Sequence, residues 1–149
     1  MNISPRIENK KGEHAVLLRT EQREHSVAIV AKADGFGSSV NGAELLFLAL
    51  ATCYCNDIYR EAKKRGIEVE NVKVEVDGEF EGEGAAARRV SYRAAVTAQA
   101  PREEILDLMQ HTDSVAEIQN TLRQGMPVLL THCEAHEIQN NSTGVATAP

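Results

Sequence analysis

GAELLFLALATCYCNDIYREAKKRG, residues Gly42 to Gly66, decides how the rest of the chain must be arranged. Leu45, Leu46, Leu48, Ala49, Leu50, Ala51 and Thr52 place apolar or small side chains on almost every side of the first turns. That pattern predicts a helix buried over most of its surface. After Asn56 and Asp57 it becomes amphipathic, Ile58 and Ala62 lying among Arg60, Glu61, Lys63 and Lys64, so the helix is expected to leave the core towards solvent. The cations Lys63, Lys64 and Arg65 offset the negative end of a helix dipole, and Gly66 suits a left-handed cap. Cys53 and Cys55 stand at the centre. Cysteine is a nucleophile only as the thiolate, so the chemistry turns on whether its neighbours supply positive charge or hydrogen-bond donors.

Upstream, His14 to Arg19 and His25 to Ala31 are strand-like runs separated by the polar TEQRE, which predicts a hairpin. ADGFGSSVNG follows as a loop by composition and sets an N-cap just ahead of the helix. Downstream, Val69 to Phe80 alternates Val72, Val74 and Val76 with Lys73, Glu75 and Asp77, a half-exposed strand. Val90 to Ala98 repeats that character after the turn EGEGAAAR. Pro101 opens a short helix, PREEILDLMQH, with acidic residues in its first turn. A second short helix starts at Ser114, with Glu117 at capping-box spacing, and stops at Gly125. Met126 to Ile138 reads as a last strand, and NNSTGVATAP lacks apolar periodicity. The order β-β-α-β-β-α-α-β is an α+β arrangement in one domain spanning 1–149, its ordered core at about 12–138 and its tail at 139–149. So buried a helix needs more cover than one small domain provides, which predicts a homodimer with a shared core.

Bulk properties exclude several functions. Of 149 residues 42% are hydrophobic and only 4% aromatic, with no Trp, so the core is built from Leu, Val, Ile and Ala. The net charge of −6 repels phosphate backbones and argues against nucleic acid. No stretch reaches the ~18 apolar residues of a membrane span. The polar NISPRIENKKGE after Met1 is no signal peptide, so a cytoplasmic protein is expected. Three cysteines, an odd number without framework spacing, fit a reducing compartment. No cofactor is implied. In HCEAH, His132, Glu134 and His136 would share one strand face, but same-face neighbours about 7 Å apart suit a polar sheet face as well. Recognisable partner ligands are missing elsewhere, so no metal is expected. Asp57, Glu61 and Lys64 read as solvated ion pairs on the exposed helix end, and His111 as the end of its helix.

The chain resembles the OsmC/Ohr family of small α+β proteins over roughly residues 12–138. The resemblance rests on the glycine-containing loop, ELLFLALATCY with its cysteine, the AKKRGI helix end, the valine-rich strand and NTLRQGMPV. It implies an intertwined homodimer with two central helices buried together and active sites at the subunit interface. It also implies thiol peroxidase chemistry on organic hydroperoxides: one cysteine attacks, a second resolves the sulfenic acid, and an arginine and a glutamate hold the first as thiolate. Cys53 falls on the attacking position. The arginine comes from an N-terminal strand, for which Arg19 is the candidate and Arg23 the second choice. The glutamate's place, ten residues before the cysteine, holds Ala43, and Glu44 lies one residue later, a turn of ~100° on a helix. The resolving position holds Ala116. Cys55 does not replace it, because residues two apart on a helix point in widely separated directions, while Cys133 lies on the last strand.

Two functions are therefore expected in competition. In one, Cys53 reduces organic hydroperoxides and an external thiol reductant restores it. In the other, the dimer is non-catalytic and binds a small hydrophobic ligand at the subunit interface. A distinctly lowered thiol pKa favours the first, and one near the free value of ~8.5 favours the second.

Overall fold

The computed structural model describes residues 1–136, with three helices and two separate antiparallel sheets in the order β-β-β-α-β-β-α-α. The α+β class read from the sequence stands. The first sheet holds β1 (Ile3–Lys10), β2 (Glu13–Thr20) and β3 (Arg23–Ser26), in that order across it. β2 and β3 form the expected hairpin, but its turn shrinks to Glu21 and Gln22, and β3 ends at Ser26 rather than Ala31. Glu21 takes φ 54°, the left-handed conformation that tight hairpin turns demand. β1 is an unexpected strand, because all its residues are exposed and leave no apolar pattern. Backbone pairing holds it, from Ile3 opposite Thr20 to Lys10 opposite Glu13.

Helix α1 (Gly42–Arg65) has the extent its sequence announces. At its start Asn41 accepts from the Glu44 N–H at 2.9 Å, and the Glu44 carboxylate accepts from the Asn41 N–H at 2.7 Å, a complete capping box. At its end Gly66, φ 69°, donates to Ala62 and Lys63 carbonyls, as the left-handed cap requires.

The second sheet pairs β4 (Val69–Phe80) with β5 (Ala87–Ala98), Val72 facing Val96 and Val74 facing Ala94. Against it lies the core of Tyr54, Ile58 and Ala62 from α1 and Leu108 from α2 (Arg102–Val115). Its position reverses the expected course of α1. The buried residues gather in the second, charged half, whereas Leu48 in the apolar half is 60% exposed. Asp57 and Glu61, each 4% exposed, are buried acids held by cations rather than solvated pairs, although Lys64 does reach Glu61 at 2.7 Å.

α2 continues past His111 to Val115, and Ser114 is no cap, since its hydroxyl donates to the His111 carbonyl at 2.6 Å. The chain breaks at Ala116 (φ −71°, ψ 113°), and α3 (Glu117–Gln124) begins without a side-chain cap. Glu117 is thereby released to face α1. The strand expected from Met126 is not formed in residues 126–136, where Val128, Leu129 and Leu130 are largely exposed. Apolar content suggested a strand there, but in this chain the run finds no sheet edge. Ile138 and the tail lie outside the described residues.

Candidate functional site

Leu46, Leu50, Cys53 and Asp57 recur along α1 at spacings of four, three and four, so they share one face of the helix. α3 lies over that face: Gln119 Nε2 donates to the Leu50 carbonyl at 3.0 Å, and Glu117 Oε2 is 3.9 Å from Cys53 Sγ. The Cys53 thiol donates to Asp57 Oδ2 at 3.4 Å and receives the backbone N–H of Ile118. Burial pushes the thiol pKa up; the Ile118 N–H pulls it down, but Asp57 and Glu117 add to the rise and the net direction is upward. Burial also raises Asp57, against the opposing pull of the Cys53 thiol and Arg60. Glu117 lies below the usual carboxylate range, held there first by its own backbone N–H and then, against a burial penalty, by Arg60.

Arg60 is the cation at the centre of this cluster. Its Nη1 is 2.5 Å from Asp57 Oδ1 and 3.3 Å from Glu117 Oε1, and its Nε is 2.9 Å from Glu61 Oε1. Glu61, held first by Lys64 and then by Arg60, is depressed to about 2, and His111 Nε2 stands 3.4 Å from it. The nearby positive charge is thus engaged by carboxylates rather than by sulfur. One ligand atom each from Cys53, Asp57 and Glu117 lie within 4.8 Å of one another, a donor set able to hold a divalent ion, although Arg60 already neutralises two of the three. The HCEAH histidines do not join it: they lie in the exposed segment 126–136, where His136 Nε2 is 3.2 Å from Glu134.

A cavity of about 370 Å³ opens between α1, β5 and α3, walled by Leu46, Phe47, Leu50, Val90 and Leu122, with the polar Ser91, Tyr92, Gln119 and Arg123 also in its lining. Phe47 reaches this position across Gly78, where an added Cβ would come within 2.5 Å of the ring.

A family model described as OsmC-like protein matches residues 35–131. The chain belongs to the OsmC family. Among solved structures, an OsmC-like protein from Mycoplasma pneumoniae superimposes with a TM-score of 0.56 at 16% identity, covering 82% of this chain and 86% of that one. An OsmC-like protein of unknown function from Vibrio cholerae gives 0.58 at 13%, with coverages of 81% and 93%. The organic hydroperoxide resistance protein OhrB of Bacillus subtilis gives 0.51 at 13%, with 83% and 91%. Identities this low speak for the fold alone. No curated protein matches the chain.

Of the three residues that the OsmC resemblance assigns to catalysis, Cys53 alone stands at this cluster within one chain. Arg19 is on β2 with its Nε 2.6 Å from Glu24, and Arg23 begins β3. Glu44 serves the capping box two and a half turns before Cys53, about 13 Å along the axis. Ala116 is fully buried at the α2–α3 break, Cys55 is half-buried, Cys133 is exposed, and all three cysteines are free. The residues that the sequence reading missed are the thiol's actual neighbours. Asp57 was within reach of helical spacing, four residues from Cys53; Glu117 was not, because its approach depends on where α2 breaks.

Proposed function

We propose that this OsmC-family protein is a cytoplasmic homodimer that binds a small apolar ligand and holds Cys53 as a thiol rather than as a peroxide-attacking thiolate. The supporting observation is that the sulfur donates to Asp57 with Glu117 beside it. Ionising Cys53 would set a third negative charge against two carboxylates, the opposite of an activating environment. Leu48 and Tyr59, exposed on α1, support the dimer. The test is sulfenic acid trapping at Cys53 after mixing reduced protein with an organic hydroperoxide and with hydrogen peroxide. Formation no faster than for a free thiol is expected; fast, organic-selective formation overturns the reading.

One observation favours a second reading. The Ile118 N–H lies in the first turn of α3, where the helix dipole and a donor both favour an anionic sulfur. There Cys53 thiolate would attack the peroxide O–O bond, giving a sulfenic acid and an alcohol. External thiol would then return the sulfur to its reduced state, itself oxidised to disulfide with release of water. Cys53→Ser abolishes peroxide consumption if this reading is right.

A further inference from the structure

α2 ends without a cap of its own. Its last turn carries no basic residue, and the chain leaves it at Ala116 in an extended conformation rather than through a left-handed cap. The carbonyls left over at that end are met instead by side chains from α3. Asn120 Nδ2 donates to the Ser114 carbonyl at 2.9 Å, and Arg123 Nη1 donates to the Asp113 carbonyl at 3.1 Å. Arg123 Nη2 reaches Asp113 Oδ1 at 2.6 Å, an oxygen that also accepts from the Tyr92 hydroxyl of β5. Arg123 Nη1 is 3.2 Å from Asn120 Oδ1, which ties the two side chains together. A helix of eight residues is well below the length that is stable alone, so such tethers decide where α3 stands. Its first turn is the part that faces the thiol, with Glu117 Oε2 at 3.9 Å and the Ile118 N–H on the sulfur.

We infer that Asn120 and Arg123 are positioning residues for Cys53: by clasping the end of α2 they hold the first turn of α3, with Glu117 and Ile118, over the thiol. Their action is indirect, since the sulfur's own polar neighbours are Asp57, Glu117 and the Ile118 N–H. The role rests on the reading above, in which Cys53 is kept as a thiol, and accounts for what keeps it so. Opening the clasp would uncover the sulfur and withdraw the Glu117 carboxylate, and both changes favour the thiolate. The loss of the Ile118 N–H works the other way, but burial outweighs that donor, so the net change is towards a more reactive thiol. Asp57 stays in place, because it shares α1 with Cys53.

The test is the pH profile of Cys53 alkylation by iodoacetamide, in the full-length protein carrying Cys55→Ser and Cys133→Ser so that one thiol reports. Arg123→Met keeps the apolar stem and removes the bonds to Asp113, while Asn120→Ala is the milder cut, at the Ser114 carbonyl. Each should move the profile to lower pH and raise the limiting rate at high pH several-fold, Arg123→Met the more, with circular dichroism unchanged. Arg123→Lys, which keeps a cation for the Asp113 carboxylate, should fall between Arg123→Met and the unmodified protein. A midpoint and limiting rate that stay in place in both Arg123→Met and Asn120→Ala, or a profile that moves to higher pH, overturns the assignment. If Arg123→Met does not fold, Asn120→Ala alone decides. Fast sulfenic acid formation in the unmodified protein would instead overturn the reading of Cys53 as a held thiol, and the difference between variants would still decide the clasp.

Discussion

Cys53 has neighbours that change its character one by one. Asp57 accepts from its thiol, Glu117 sits slightly further off, and Ile118 donates to it. Burial is the largest cause of the upward shift and Asp57 the main charged one, so Asp57→Asn should move the pH profile of Cys53 alkylation to lower pH and raise the neutral-pH rate several-fold. Glu117→Gln should act in the same direction but less, which iodoacetamide kinetics across pH will show. Glu61 makes a prediction of opposite kind. Its carboxyl falls from the 4.5 of an unperturbed glutamate to about 2 when folded, so the folded state binds fewer protons and gains stability. That gain is complete above pH 4.5 and is lost as pH falls towards 2. Acid unfolding should therefore require less denaturant across that window, and Glu61→Gln should flatten the dependence. Cys53 was legible in the sequence because a thiol within an apolar helical run stands out. The direction of its pKa shift was not, since burial, the largest cause, depends on how the distant α3 packs over this face of α1.

Among the elements, α1 was read almost to the residue, because both of its caps are local chemistry: Asn41 with Glu44 at one end, Gly66 at the other. The same geometry separates a capping role for Glu44 from a catalytic one. Glu44→Ala should lower stability by about 1 kcal/mol, seen in denaturant midpoints, while the alkylation profile of Cys53 stays in place. A moved profile would mean that Glu44 reaches a thiol after all, from a second copy. The elements that were misread share a cause. β1 has no apolar face to betray it, and Met126–Leu130 has an apolar run but no ladder in this chain. Pairing partners decide both, and neither is written locally. The start of α3 failed similarly: Ser114 and Glu117 have capping-box spacing, but Ser114 is still inside α2.

For the molecule as a whole, packing is uneven. Tyr54, Ile58, Ala62 and Leu108 unite α1, α2 and the β4–β5 sheet, and Ile58 and Leu108 have no exposed surface. Ile58→Ala should therefore cost about 2–5 kcal/mol, measurable by urea denaturation, through lost burial and the cavity left behind. No helix among the described residues is long and apolar enough to cross a membrane. The three-stranded sheet, by contrast, packs chiefly on itself; Val16 is its one buried apolar residue, and Ile3 and Ile7 are more than half exposed. Such a sheet contributes little to cooperative unfolding of the rest. In amide hydrogen exchange the protein should behave as two populations: β4, β5 and the inner half of α1 exchanging only through global opening, β1 to β3 through cheap local opening. If a second copy covers that sheet, its protection will rise with protein concentration, so the slowness of one hairpin's amides becomes a gauge of self-association.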